Sequence, residues 1–293
     1  MDFSKPTQCT SFAAVKSHGP FEKTTITRRQ CLKDDVVIDV KYAGICHSDI
    51  HQVREEWGPA KFPMVPGHEI AGIVVHVGEN VTGFKVGDRA GVGCMVDSCR
   101  DCDQCNNADE QYCSKGKCVY TYNATYWPEE YEGKGDKPTY GGYSKHIVVD
   151  KRFVFTIPEN LDLAAAAPLL CAGITVYSPM INFGLKAGQH LGVMGMGGLG
   201  HMAIKIGKAM GAKVSVISRN SAKKEHCFQD FKIDGYLDMS NADEVKAHTK
   251  KFDFIINTIS ADHDINGAMS LLSIDGKMII VGAPPVPLPV SAF

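Results

Sequence analysis

Four cysteines lie close together in the first half of the chain, with the spacing C-x2-C-x2-C-x7-C: Cys99, Cys102, Cys105 and Cys113. This short spacing lets a single loop surround one tetrahedral ion, and thiolates are ligands that zinc prefers. Because four protein ligands leave no coordination position open, the sequence predicts a structural zinc site here and not a catalytic one.

A second possible ligand set is spread over the chain and consists of Cys46, His68 and Cys171. Two thiolates and one imidazole leave one position on zinc open, and a zinc bound there would polarise an alcohol or carbonyl oxygen. Glu69 is either a transient fourth ligand or only a polar neighbour, and Asp49 is a candidate to orient the His68 ring. Each cysteine alone could equally be an ordinary buried thiol, so the spacing by itself does not settle the site.

Two residues beside Cys46 could carry a proton to solvent. Ser48 has a hydroxyl that both donates and accepts, and His51 has a side chain whose pKa suits a relay. Alternatively, Ser48 caps a helix that starts at Asp49, and His51 is a surface residue. The two interpretations can coexist.

A glycine-rich turn occupies residues 195–200, between a predicted strand and a predicted helix. The pattern G-x-G-x-x-G in this context is typical of dinucleotide binding, because the turn lets the backbone approach a pyrophosphate at a helix N-terminus. The alternative is a glycine-rich turn of the kind found in any α/β protein, and the flanking strand and helix favour the cofactor. The candidate residues of the turn are Gly195, Gly197, Gly198, Leu199 and Gly200.

The next predicted strand ends in Ser218, Arg219 and then Lys223, with no acidic residue before Glu225. An acidic residue at this point would bind the ribose hydroxyls of NAD, whereas hydroxyls and cations suit the 2′-phosphate of NADP. The sequence therefore predicts NADP(H). The alternative is a solvated basic turn.

The hydrophobic pattern divides the chain after Pro158. The first half is β-rich, with predicted strands at Val36–Tyr42 and Glu69–Val77. The second half alternates strands and helices, which predicts an α/β fold with a doubly wound parallel sheet. We expect domains at residues 1–158 and 159–293. The predicted strands of the second domain are His190–Met194, Lys213–Ser218, Gly235–Leu237, Asp253–Asn257 and Lys277–Val281, and its predicted helices include Leu199–Met210 and Ala268–Leu272.

Composition narrows the class of partner. The net charge of −2 argues against nucleic acid or an anionic membrane as the main partner. No apolar run is long enough to span a bilayer, and the N-terminus has no signal peptide pattern. Eleven cysteines without such a signal favour thiols and metal ligands over disulfides. We expect a cytoplasmic protein that acts on a small molecule.

These residues together resemble the zinc-containing medium-chain dehydrogenases/reductases, and within them the cinnamyl-alcohol-dehydrogenase-like branch. The resemblance extends from near the N-terminus to Phe293. The segments that carry it, besides the four-cysteine lobe and the glycine-rich turn, are Ala43–His51, Pro66–Glu69, Val86–Arg89 and Leu169–Thr175.

The resemblance implies a GroES-like, β-rich catalytic domain followed by a Rossmann-type domain, and it implies two zinc ions and NADP(H). By position, Trp57 and the run from Tyr120 to Tyr122 fall near the usual substrate pocket. The family's site residues match the following positions: Cys46, His68 and Cys171 with Glu69 for the catalytic zinc, Cys99, Cys102, Cys105 and Cys113 for the structural zinc, Ser48 and His51 for the proton relay, Thr175 near the nicotinamide, and Ser218, Arg219 and Lys223 for the NADP phosphate.

The chain departs from this family at its C-terminal end. Family members continue past the proline-rich stretch at residues 284–289 with a last strand that usually pairs across a homodimer, so we expect the parallel sheet to be incomplete here. The expected activity is the interconversion of primary alcohols and aldehydes, with aldehyde reduction of broad or aromatic specificity. The alternative is an inactive, truncated zinc-binding homologue that acts through protein association.

Overall fold

A computed structural model describes residues 1–124 and 138–291. The polar, aromatic and Gly/Pro-rich stretch from Tyr122 to Gly142 predicts a surface loop, and most of it lies outside the described residues. The chain forms two compact units, Met1–Cys171 and Ala172–Phe293. The division falls later than the expected boundary at residue 158. The reason is that Leu161 and Ala166, which follow that boundary, pack in one apolar cluster with Ala71 of the first unit.

The first unit is built on a five-stranded antiparallel sheet with the strand order β8-β3-β4-β5-β9. The hairpin β1-β2 and the short pair β6-β7 form separate two-stranded sheets. Buried β-branched residues of the central strands, such as Val36, Ile38 and Val74, supply the core. The strands are β1 Thr7–Ala14, β2 Phe21–Arg28, β3 Asp35–Ala43, β4 Ile70–Val77, β5 Arg89–Val92, β6 Met95–Asp97, β7 Val119–Tyr120, β8 His146–Asp150 and β9 Phe155–Thr156.

Among its described residues the first unit has three short α-helices: α1 His47–Val53, α2 Asp103–Asn106 and α3 Leu163–Ala166. In the antiparallel pair β3-β4, Ala43 lies opposite Ile70. The residues that leave β3 and those that enter β4 therefore lie side by side, which places the start of α1 next to the segment before β4.

The second unit contains a five-stranded parallel sheet with the order β12-β11-β10-β13-β14. This is the doubly wound arrangement that the alternating pattern predicts, and its switch point lies at β10. The strands are β10 His190–Met194, β11 Lys213–Ser218, β12 Gly235–Asp238, β13 Phe252–Asn257 and β14 Leu272–Ile280. The helices are α4 Ala172–Asn182, α5 Gly198–Ala209, α6 Lys224–Phe231, α7 Ala242–His248 and α8 Ile265–Met269.

Both faces of the parallel sheet are covered, because its strands are apolar on both sides. One cluster joins Leu191 and Val214 of the sheet to Ile204 of α5, and the other joins Ile217 and Ile255 to the α8 region. Among the described residues no single helix is long and apolar enough to cross a membrane, although the bent pair Leu163–Leu170 and Ala172–Asn182 passes a test of length and composition.

Two predicted elements have the wrong bounds, and one of them is the strand expected at Lys277–Val281, which is β14, Leu272–Ile280. The helix expected at Ala268–Leu272 is instead α8, which starts earlier because the Asp264 side chain accepts a hydrogen bond from the Gly267 backbone at its N-terminus. Leu272 already begins β14, whose register with β13 shifts between Phe252 and Phe254.

Candidate metal centres and cofactor cavity

The structure brings Cys46, His68, Glu69 and Cys171 together in the first unit, with one ligand atom of each within 4.8 Å of all the others. The Cys171 Sγ lies 3.1 Å from His68 Nε2 and 3.9 Å from Cys46 Sγ. Two sulfurs, one nitrogen and one carboxylate oxygen are donors that zinc accepts. The group therefore fits a zinc ion.

The strand geometry explains how these distant residues meet. Cys46 follows β3 and His68 precedes β4, and the Gly44 backbone N–H donates to the Glu69 carbonyl over 2.9 Å. This approach requires a glycine, because a Cβ on Gly44 would lie 1.9 Å from a Glu69 carboxylate oxygen. Cys171 arrives at the end of a short 3-10 helix, Ala167–Leu170, that packs against β4 and β5.

Without a bound ion, the two thiols and the carboxyl of this group favour their protonated forms. The hydrogen bond with Cys171, together with burial, raises the pKa of Cys46 to about 12. For Cys171 the Cys46 thiol lowers the pKa, but the Cys94 thiol and burial outweigh it and raise the pKa overall. Burial also raises the pKa of Glu69. Three acidic groups at one point, two of them buried and one half-buried, are a donor set that a bound cation would convert to its ionised form.

Asp49 connects the two strand-end segments. It is 1 % exposed, and its carboxylate accepts the backbone N–H of Cys46 over 3.0 Å and that of Gly67 over 3.1 Å. Its Oδ1 lies 3.8 Å from His68 Nδ1, and its Oδ2 accepts the Tyr143 hydroxyl over 2.7 Å. The structure thus places Asp49 beside His68, as the sequence analysis expected.

Ser48 and His51 lie on α1, next to the metal group. The Ser48 Oγ is 3.4 Å from the Cys46 Sγ. Helix α1 begins at His47 with Cys46 at its N-cap, so the alternative in which Ser48 caps a helix starting at Asp49 does not hold.

His51 is buried, which removes the alternative of a surface histidine. Its Nδ1 pairs with the Glu56 carboxylate, and its ring stacks between His47 at 4.5 Å and Trp57 at 4.6 Å. Its Nε2 is buried and has no hydrogen-bond partner within the described ranges. Sequence reasoning missed Glu56, although an acidic residue five positions after a candidate relay histidine was a visible signal.

The four-cysteine group also assembles in the first unit, with its sulfurs within 4.8 Å of one another. The Cys99 Sγ lies 3.8 Å from the Cys105 Sγ. Arg100 anchors the loop through ion pairs with Asp97 and, over 3.2 Å, with Asp150. The donor set fits a structural zinc. The remaining cysteines lie outside both groups and are free thiols: Cys9, Cys31, Cys94, Cys118 and Cys227.

A cavity of about 400 Å³ opens in the second unit at the carboxyl ends of β10, β11 and β13. The predicted residues Gly195, Gly197, Ser218, Arg219 and Lys223 all line it. The carboxyl edge beside the switch point of a doubly wound sheet is where such folds bind nucleotides.

The glycine turn is shaped for close backbone approach. Gly195 has a φ of +88°, and a Cβ on Gly200 would lie 2.1 Å from the Gly195 carbonyl oxygen. By contrast, a Cβ on Gly197 or Gly198 would meet nothing within 4 Å, so space is open at the N-terminus of α5. Such a terminus offers free N–H groups to a phosphate, and the turn therefore fits a dinucleotide.

Four predicted cofactor residues do not line the cavity: Gly198, Leu199, Gly200 and Thr175. Gly198 is the first residue of α5, Leu199 packs partly against the core of the unit, and Thr175 lies on α4. Sequence reasoning in turn missed Thr258, Ile259 and residues 261–263, which form the wall beyond β13. The position of Thr258 directly after a parallel strand was the available signal, because ligands bind at that edge.

Comparisons with known proteins agree with this geometry. Residues 32–159 match the model of the alcohol dehydrogenase GroES-like domain, and residues 198–293 match the model of the zinc-binding dehydrogenases. The chain is 50 % identical to the probable formaldehyde dehydrogenase AdhA of Bacillus subtilis over 93 % of its own length and 76 % of that protein's.

Two further comparisons cover almost the whole chain. It is 48 % identical to NADP-dependent alcohol dehydrogenase C 1 of Mycolicibacterium smegmatis, over 97 % of this chain and 79 % of that protein. A solved cinnamyl alcohol dehydrogenase of Sorghum bicolor, SbCAD4, superposes with a TM-score of 0.92 at 43 % identity, over 98 % of this chain and 79 % of that one.

Proposed function

Because the chain belongs to the zinc-binding dehydrogenases with an alcohol dehydrogenase GroES-like domain, we propose that it interconverts primary alcohols and aldehydes with NADP(H), chiefly as an aldehyde reductase. The observation that carries this proposal is the group of Cys46, His68, Glu69 and Cys171, with ligand atoms within 4.8 Å of one another. A mixed set of thiolates and imidazole is typical of catalytic zinc in alcohol dehydrogenases.

Cys46, His68 and Cys171 would hold the catalytic zinc, and Glu69 would be available as a transient ligand. When bound, zinc polarises the oxygen of the alcohol or the carbonyl group. Asp49, whose Oδ1 lies 3.8 Å from His68 Nδ1, would orient the His68 ring from its other nitrogen. The four cysteines between Cys99 and Cys113 would hold the structural zinc.

Ser48 and His51 would move the proton. They stand three residues apart on α1 and so face the same side of the helix. Glu56 pairs with Nδ1 of His51, and Nε2 has no hydrogen-bond partner among the described residues, so Nε2 would be the atom that exchanges a proton. During aldehyde reduction, Ser48 would donate its proton to the substrate oxygen and take one from His51.

The cofactor would lie in the cavity of the second unit. Its pyrophosphate would meet the open N-terminus of α5, and Arg219, with Ser218 and Lys223, would hold the 2′-phosphate. Arg219 is exposed and forms no ion pair within the part of the chain that the structure describes, so its guanidinium is available. Thr175 remains a proposed contact of the nicotinamide, which supplies or accepts the hydride.

An aromatic substrate is supported by the surroundings of His51. Trp57 stacks on this histidine, yet it is 43 % exposed, so part of its indole face is available for contact with a planar substrate. We therefore propose aromatic aldehydes, of the benzyl or cinnamyl kind, among the substrates.

The test measures zinc per chain together with the oxidation of NADPH against benzaldehyde, cinnamaldehyde and short aliphatic aldehydes. We expect two zinc ions per chain and turnover with NADPH. Cys46→Ser should remove one zinc and the activity.

Cys31→Ser is the matched control, because Cys31 lies outside both ligand groups. Its recorded hydrogen bonds go to the backbone carbonyls of Leu32 and Asp35, and a serine hydroxyl can donate to the same carbonyls. This variant should keep both zinc ions and full turnover. Wild-type protein with two zinc ions but no turnover on any aldehyde would refute the proposed activity.

Protein association is a second candidate function, and one observation favours it. Strand β14 lies at the edge of the parallel sheet among the described strands, and its Ile274 is 89 % exposed. An exposed apolar edge strand can pair with another chain. Turnover at ordinary enzymatic rates by the purified chain would argue against an inactive binding role.

A further inference from the structure

Tyr143 contacts the ligand segments of the proposed zinc site without being a ligand. Its hydroxyl donates to Asp49 Oδ2 over 2.7 Å. Its ring lies against Gly67, where an added Cβ would come 2.7 Å from the Tyr143 Cδ1. Its backbone N–H donates to the Pro66 carbonyl over 3.0 Å, so this residue also fixes the segment that leads to His68.

The Asp49 carboxylate depends on such donors, because an ionised carboxylate so deeply buried is costly unless its oxygens are hydrogen-bonded. Its two backbone donors, Cys46 and Gly67, come from the segments that it joins. The hydrogen bond from the Tyr143 hydroxyl is the shortest that is recorded for Asp49. Tyr143 belongs to a third segment, just before β8.

We propose that Tyr143 is a positioning residue for the zinc site: its hydroxyl fixes the Asp49 carboxylate, which holds the Cys46 and His68 segments at ligand distance. Tyr122 takes part as well. Its ring stacks on the His68 imidazole with centroids 5.7 Å apart and planes 10° apart. The inference rests on the proposed function for the identity of the metal.

Tyr143→Phe tests the role of the hydroxyl, because phenylalanine keeps the ring that packs on Gly67 and on Phe21. The measurement is the zinc affinity of each site, determined by competition with a chromophoric chelator. Cys46→Ser identifies which of the two zinc ions is bound by the group that contains Cys46.

Loss of a residue that supports a ligand typically costs 10- to 100-fold in metal affinity. We therefore expect Tyr143→Phe to weaken zinc binding at the Cys46 group at least about tenfold and to leave the four-cysteine site unchanged. Tyr42→Phe is the matched control, since Tyr42 is exposed on β3 of the same unit and has no recorded side-chain hydrogen bond. It should change neither site.

A double-mutant cycle with Asp49→Asn separates positioning from general support of the fold. If Tyr143 acts through Asp49, Tyr143→Phe should cost less than about twofold in zinc affinity in the Asp49→Asn background. Three results for Tyr143→Phe would each overturn the inference. The zinc affinity could fall equally at both sites, it could fall by the same factor with and without Asp49→Asn, or it could stay within twofold of wild type. A wild-type chain that binds only the zinc of the four-cysteine group would instead refute the proposed function.

Discussion

Substituting His146 by glutamine should change how the stability of the chain depends on pH. His146 lies on β8, is 3 % exposed, and its Nε2 is 2.8 Å from the Thr7 hydroxyl. Burial, and then the nearby Arg28 guanidinium, lower the pKa of His146 from 6.5 to about 4, against a small opposing effect of Asp39.

The sign follows from proton binding in the two states. In the unfolded chain His146 binds a proton near pH 6.5, whereas in the folded chain it does so only near pH 4. Between these values the unfolded state binds more protons, so the free energy of unfolding falls as the pH falls, and above about pH 6.5 the histidine has no such effect. At about 1.4 kcal/mol for each pKa unit, the full loss is about 3 kcal/mol, nearly complete by pH 4.

The assay compares urea unfolding of wild type and His146→Gln near pH 7.5 and near pH 4.5. Glutamine can still hydrogen-bond Thr7 but does not ionise, and any acid lability of the metal sites is common to both proteins and cancels in the difference. We expect the variant to gain about 2.5 kcal/mol relative to wild type on going to the lower pH. A relative change below about 0.5 kcal/mol would refute the reasoning, because it would mean that His146 titrates alike in both states.

Three further substitutions test the cofactor and metal sites. Arg219→Asp should raise the KM for NADPH about 10- to 100-fold and change the KM for NADH little, because it removes a charge-assisted hydrogen bond of about 1.5–3 kcal/mol. An unchanged preference for NADPH over NADH in steady-state kinetics would contradict the 2′-phosphate role. Gly200→Ala should weaken NADPH binding more than about 100-fold by fluorescence titration, a loss of about 3 kcal/mol, because its Cβ would lie 2.1 Å from the Gly195 carbonyl oxygen. Gly83→Ala, where a Cβ meets nothing within 4 Å, should bind normally. Cys102→Ser should lower the zinc content by one per chain and the Tm by several degrees, and a full zinc content would count against a structural zinc in that lobe.

The elements that the sequence predicted best are those with purely local signals. Strands β10 and β11 have the predicted bounds, since each is a short apolar run between turn residues. The cysteines from Cys99 to Cys113 are close in sequence, so their spacing alone indicated that they would meet. The start of α8 was less accessible, because it is fixed by the hydrogen bond that the Gly267 N–H donates to the Asp264 side chain and not by the apolar pattern that follows.

The second ligand group could not be derived from spacing. Cys46 and His68 meet because of the register in which Ala43 lies opposite Ile70, and that register is a tertiary property of β3 and β4. The resemblance to a family supplied what spacing could not. Among the residues near these ligands, Glu56 had a local signal in its position five residues after His51. Tyr143 lies 94 positions from Asp49, so only the folded arrangement reveals that contact.

The hairpin β1-β2 has a practical consequence for anyone who dissects this protein into modules. Arg28, at the end of β2, is 2 % exposed and donates to the carbonyls of Tyr140, Gly141 and His146, and the Phe12 N–H donates to the Tyr143 carbonyl. The hairpin thus braces the turn whose Tyr143 reaches Asp49. An expression clone that starts at residue 32, where the family match begins, would keep every zinc ligand and yet lose this brace, so a recombinant fragment cut there should be a poor reporter of the metal chemistry of the intact chain.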